Sequence, residues 1–211
     1  GEQVSGAGSS DATNTNRIDY FNSSLTRNTS SMNATCRGWR GGRTPSYLVF
    51  SCDGSSIIGG QTSYAEAYNS SLSRTLFAKI STNTGQQCTA SIGNYLIFFG
   101  SYETYFLNNS LTKTVGSPTY PSYPRNWPSG LTLGDYAVFA GGYLNNYSTI
   151  QNRFPTDVIA FDASLTYKTV GNLSNKGRSE GAATSIGNFG LFGGGQSYYM
   201  RDSGSYSSGQ P

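Results

Sequence analysis

The residues of this chain with the most readable chemistry are aromatic rings set among amides and guanidinium groups. Tyr102, Tyr120, Tyr123, Trp127, Tyr143, Tyr147, Phe154, Tyr198 and Tyr199 fall in stretches rich in Asn, Gln, Ser and Arg. A sugar ring asks for that combination, because its C–H face stacks on a flat aromatic ring while its hydroxyls need directed donors and acceptors. Arg37, Arg125 and Arg178 stand 10, 11 and 11 residues before Tyr47, Tyr136 and Phe189. Three guanidinium groups in matching positions can meet a carboxylate or phosphate on a ligand. They can equally hold loop carbonyls and an acid such as Glu180.

What is missing narrows the chemistry further. The chain contains no histidine, so Ser-His-Asp and Cys-His nucleophile systems are excluded, as is any metal site that needs imidazole. Two carboxylates would suffice for a glycosidase. Asp19, Asp157 and Asp162, however, belong to repeated strand and turn elements, and Glu66, Glu103, Asp135, Glu180 and Asp202 have no spacing that pairs them. The expectation is a protein without catalytic residues, cofactor or metal. The Gly pairs at 59–60, 141–142 and 193–194 are not followed by Lys-Ser/Thr or by a helix, so they read as structural rather than as phosphate loops.

The 14 basic and 11 acidic side chains give a net charge of +3 with no run of either sign. No stripe for phosphate neutralisation results, and nucleic acid is not an expected partner. Apolar runs fall short of the roughly 18 residues that cross a bilayer as a helix, so membrane insertion is not expected either. Position 1 is Gly rather than Met and no signal-peptide pattern follows, which reads as a processing scar or as the edge of a piece cut from a longer chain. The odd number of cysteines, Cys36, Cys52 and Cys88, argues against a disulfide framework and for small buried thiols in strands. Asn-x-Ser/Thr sequons at Asn22, Asn28, Asn33, Asn69 and Asn172 arise from the Asn-Ser-rich turns themselves.

The elements that must position these residues repeat. Residues 157–166, Asp-Val-Ile-Ala-Phe-Asp-Ala-Ser-Leu-Thr, have counterparts at 17–26, 64–73 and 104–112, and their leucines at 25, 72, 111 and 165 lie 47, 39 and 54 residues apart. Residues 182–195, with Ile-Gly-Asn-Phe and a run of glycines, have counterparts at 89–100 and 131–142 and a degenerate one at 45–51. Apolar residues in alternation or in runs of four to six, bounded by Gly, Asn and Ser, predict strands. Gly-Asn between two such runs predicts hairpins joining 182–186 to 189–193 and 89–92 to 95–99, with positive φ accepted at both central positions, and Gly-Asp does the same between 130–133 and 136–140. The Asp/Asn-x-Ser-Leu element predicts a second tight turn. No helical pattern appears. Four short strands per repeat of about fifty residues predict an all-β protein, a β-propeller of four-stranded blades.

The order Asp-Val-Ile-x-Phe-Asp, Leu-Ser, Arg178, Ile-Gly-Asn-Phe and Gly-Gly within 157–194 resembles the Kelch repeat, in which a double glycine ends the second strand and an Arg enters the innermost one. The Trp found late in Kelch blades is absent, its places after Leu165 and Leu72 being held by Tyr167 and Arg74. The Asn-Ser-Ser-Leu-Thr style is also similar to repeats of bacterial and phage tail-associated proteins. These likenesses imply one domain over 1–211, with blades at about 36–82, 83–117 and 118–174 and a fourth made of 175–200 with 1–35. Four blades closed by both ends of the chain are expected; the alternative is one piece of a larger ring. The implied function is recognition of a cell-surface glycan or other surface receptor through the aromatic loop face, at an extracellular, cell-surface or virion location. The alternative is a structural or protein-interaction propeller docked to other subunits of a larger particle.

Overall fold

A Gly followed by Asn or Asp, set between two apolar runs, folds the chain back on itself three times. The structure, a computed structural model, describes residues 15–36, 39–52, 63–81, 87–100, 104–116, 125–144, 154–174, 177–200 and 206–209. Those residues are all β, with no helix among them. In chain order the strands are β1 (Thr15–Phe21), β2 (Arg27–Cys36), β3 (Trp39–Arg43), β4 (Leu48–Cys52), β5 (Ser63–Tyr68), β6 (Arg74–Ser81) and β7 (Cys88–Ile92). Next come β8 (Tyr95–Phe99), β9 (Tyr105–Asn108), β10 (Lys113–Val115), β11 (Arg125–Asn126), β12 (Ser129–Leu133), β13 (Tyr136–Ala140) and β14 (Tyr143–Leu144). The last are β15 (Asp157–Phe161), β16 (Tyr167–Asn172), β17 (Ala182–Ile186), β18 (Phe189–Gly193), β19 (Ser197–Met200) and β20 (Tyr206–Gly209).

Three four-stranded antiparallel sheets form from neighbouring strands: β3-β4-β5-β6, β7-β8-β9-β10 and β12-β13-β15-β16. The remaining strands pair two by two, as β1-β2, β11-β14, β17-β18 and β19-β20. The three expected hairpins are present, with Ile92 opposite Tyr95, Leu133 opposite Tyr136 and Ile186 opposite Phe189. One detail is corrected. Only the glycines at the tips, Gly93, Gly134 and Gly187, take positive φ, at 52°, 54° and 54°, and their Asn or Asp partners do not. Positive φ at the first central residue alone is the pattern of a type II′ turn, which needs Gly there and tolerates Asn or Asp next.

The sheets stack face to face, and that is where the apolar runs go. Val49, Ala65 and Ala67 of the first sheet pack on Leu96, Phe98, Tyr105 and Leu107 of the second. On its opposite face the second sheet presents Ile97, Phe99 and Phe106 to Phe139, Ile159 and Phe161 of the third. The rings of Phe99 and Phe139 stack at 4.6 Å. A sheet covered on both faces needs runs rather than alternation, which explains Tyr-Leu-Ile-Phe-Phe in β8. On the far face of the third sheet, Leu131, Val138 and Ala160 meet Ala183 and Phe192 of β17-β18. The first strands β3, β7, β12 and β17 therefore touch in succession.

Between those first strands there is no ladder, and hydroxyl groups take its place. Thr89 Oγ1 donates to the Gly41 carbonyl at 2.7 Å and Ser91 Oγ to the Arg43 carbonyl at 2.6 Å. Thr132 Oγ1 donates to the Ser91 carbonyl at 2.7 Å and accepts from the Ser91 N–H at 3.2 Å, and Ser129 Oγ reaches the Gly181 carbonyl at 2.7 Å.

Candidate functional site

At one end of the first strands the loops of successive repeats lock together. β11 and β14 pair as Arg125 with Leu144 and Asn126 with Tyr143, and the bridge between Ser179 and Gln196 is the same feature one repeat later. The two loops bond to each other: Glu180 N–H donates to the Trp127 carbonyl at 3.1 Å and Gly142 N–H to the Arg178 carbonyl at 2.8 Å. Trp127 and Glu180 occupy matching places and both take positive φ, 52° and 59°, a costly conformation for residues with a side chain. Gly141, at φ 69°, lies so close that a Cβ there would stand 2.3 Å from the Arg178 carbonyl oxygen. The double glycine is thus structural, as its sequence context implied.

This packing leaves a polar cavity of about 480 Å³ between the first strands. Arg40 and Gly41 of β3, Cys88 and Thr89 of β7, Trp127 and Ser129 before and on β12, and Glu180 and Gly181 before β17 all line it. One wall carries a cation and the opposite loop an anion. Arg40 Nε donates to the Gln87 carbonyl at 2.8 Å, which fixes the guanidinium against the wall. Trp127 continues into an aromatic group outside the cavity: its ring lies 6.3 Å from Tyr143, which lies 5.5 Å from Phe154.

The arginines predicted to meet a ligand divide. Arg125 is 3% exposed; its Nη1 donates to the Gly141 carbonyl at 3.2 Å and its Nη2 to Asp157 Oδ2 at 2.5 Å. Its guanidinium braces the loop against β15 instead of facing a ligand, because Asp157 supplies the carboxylate from within the chain. Arg178 repeats the first contact, Nη1 to the Gly194 carbonyl at 3.4 Å, and is only partly buried. Trp127 lies on the cavity and Tyr143 beside it. Arg37, Tyr102, Tyr120, Tyr123 and Tyr147 lie outside the described residues, and Tyr198 and Tyr199 are described only as backbone in β19. Arg40, Thr89 and Ser129 were not anticipated. Arg40 shares a column with Cys88 and Ser129 when the repeats are aligned by their hairpin tips, and that alignment would have found it.

Several other reactive groups among the described residues are buried or engaged. Burial pushes the Cys88 thiol well above its ordinary range despite the nearby Arg40 and Arg125 guanidinium groups, so this thiol stays protonated and unreactive. Cys36 and Cys52 end β2 and β4, and their side chains lie outside the described ones. Glu66, wholly buried on β5, accepts the Tyr68 hydroxyl at 2.8 Å and faces Arg74 Nη1 at 3.8 Å. Burial first, and then that bond to Glu66, hold the Tyr68 phenol above its ordinary range. Asp19 pairs with Arg27 at 2.6 Å. Among the described residues no group of three or more His, Cys, Asp or Glu side chains could hold a metal ion. No helix there is long and apolar enough to cross a membrane.

No family model and no curated protein matches this chain. Among solved structures it is similar to YjhT, with a TM-score of 0.62 at 12% identity over 87% of this chain and 69% of that one. At that identity the likeness is one of fold: an all-β arrangement of antiparallel sheets.

Proposed function

We propose that this chain is a Kelch-like β-propeller of four blades that serves as a non-enzymatic recognition module for a cell-surface glycan, at a cell or virion surface. The observation that carries the reading is the polar cavity between the first strands with Trp127 on its wall and Tyr143 and Phe154 behind it. A sugar ring stacks on the indole while Arg40, Glu180, Thr89 and Ser129 supply charge and hydroxyls for its oxygens. The absence of histidine, the protonated Cys88 thiol and the commitment of Asp19, Glu66 and Asp157 to arginine or tyrosine partners support binding rather than turnover.

A glycan array followed by titration of the best binder tests the proposal. Selective binding is expected, weakened about tenfold or more by Trp127→Ala, since a centrally placed Trp typically carries 1.4 kcal/mol or more of binding energy. Arg40→Ala should also weaken binding. A blank array across neutral and acidic sugars would favour the interaction-propeller reading instead.

A further inference from the structure

We infer that the polar cavity selects a sugar with a free amino group, and that the Glu180 carboxylate and the Trp127 indole hold its ammonium. The inference rests on the glycan reading of this cavity and names the class of sugar within it. Among the described residues that line the cavity, the charged ones are Arg40 on β3 and Glu180 before β17. No ion pair joins the two. The arginines of the neighbouring loops have other partners, Arg178 the Gly194 carbonyl and Arg125 both Asp157 and the Gly141 carbonyl. The pairing of Glu180 with such an arginine, which the sequence allowed, does not form, and its carboxylate stands at the exposed edge of the cavity.

Backbone strain singles out the same residue. Six residues with a side chain take positive φ among the described ones: Leu25, Leu72, Leu111, Leu165, Trp127 and Glu180. The four leucines share one place in a repeated turn, and Trp127 sets its ring beside Tyr143. Glu180 is exposed, and its side chain belongs to none of the apolar cores. Gly would take its φ of 59° without strain. A strained residue on the wall of a cavity, with no packing to offset the strain, points to a side chain kept for a ligand.

Trp127 and Glu180 are joined backbone to backbone, the Glu180 N–H donating to the Trp127 carbonyl at 3.1 Å, and both line the one space. A carboxylate beside an indole suits an ammonium, which is drawn to the charge of the first and to the negative face of the second. Arg40 lies at the far end of the succession β3, β7, β12, β17, tied through Nε to the Gln87 carbonyl. There it can donate to hydroxyl oxygens and repels a second positive charge, so a sugar with one amine fits better than a polyamine. N-acetylation removes the amine's charge and leaves the ring and hydroxyls in place, which makes the acetylated sugar the matched control.

The test titrates the full chain with glucosamine and galactosamine, each against its N-acetyl form, by ligand NMR at mildly acidic pH where the amines are charged. The amine forms should bind about fivefold more tightly, with a preference that shrinks as salt is added. In Glu180→Gln the preference should disappear, while the N-acetyl forms bind as they do to the unmodified chain. Glu180→Gly should lose the preference too, yet hold or raise the Tm because the strain is relieved. Equal binding of amine and N-acetyl forms would overturn the inference and keep the glycan reading, as would a preference that survives Glu180→Gln. A lowered Tm in Glu180→Gly with the preference unchanged would assign Glu180 to the fold. If none of the four sugars binds, the inference falls, and the glycan reading falls with it only if the array is blank as well.

Discussion

A single acidic residue gives this scaffold part of its pH response. Asn22, Asn69, Asn108 and Asp162 each accept two backbone N–H bonds through Oδ1, from the residues two and four places on. At Asp162 the Ser164 hydroxyl adds a third bond at 2.6 Å. That hydroxyl first, and then the backbone donors, hold the Asp162 carboxyl below its ordinary value of 3.8. A depressed folded value means that the stabilisation is complete above about pH 4 and is lost as pH falls through the lower folded value. Asp162→Asn should therefore leave Tm near its neutral-pH value, since three sister turns already use Asn, and should make the acid limb of a Tm-versus-pH curve shallower. An unchanged acid limb would contradict this. The Asx bonds were legible in the sequence because Asn and Asp are the residues that cap such turns. The positive φ of the leucines was not, since a bulky residue ordinarily avoids it. The strain at Leu111 and Leu165 is offset by packing against the cores, which no local pattern reveals.

Strand pairs were legible wherever a Gly-Asn or Gly-Asp tip fixed the register, and the neighbours across sheets were not. The first sheet shows why. Arg43 pairs with Leu48 as Ser91 pairs with Leu96, so Arg40 stands 7 residues before Tyr47 as Cys88 does before Tyr95, whereas a spacing of 10 or 11 residues points to Arg37 and passes over it. The hydroxyls that join the first strands were hidden for a different reason: Ser and Thr are abundant everywhere in this chain, and only the stacking of sheets singles out Ser91, Thr89, Ser129 and Thr132. Thr132 is exposed yet both donates to and accepts from Ser91. Thr132→Val keeps the shape and removes both bonds, and water competes at this surface. A loss of about 0.5–1 kcal/mol in urea unfolding is expected, with Thr132→Ser recovering most of it. If Val and Ser variants unfold alike, the hydroxyl does not hold β7 to β12.

For the whole molecule, the stacking of sheets turns a linear series of repeats into a question of closure. A sheet with a neighbour on either side buries one face on the sheet before it and one on the sheet after it, as repeat proteins do when no unit has a core of its own. The second and third sheets meet this rule on both sides, whereas Leu48 of the first sheet and Leu191 of β18 are 46% and 51% exposed. In an open series these two residues sit on opposite ends and share no partner. Their effects on stability should then add within about 0.3–0.5 kcal/mol. In a closed ring they face one another across the seam, and removing either side chain already forfeits the contact. The double variant Leu48→Ala with Leu191→Ala should then cost less than the sum of the single variants, by roughly 0.5–1.5 kcal/mol. Measured by equilibrium unfolding in urea, with Leu48→Ala and Val115→Ala as the reference pair expected to add, the cycle reads closure from energetics alone. Additivity in both pairs would mean that the two ends remain apart.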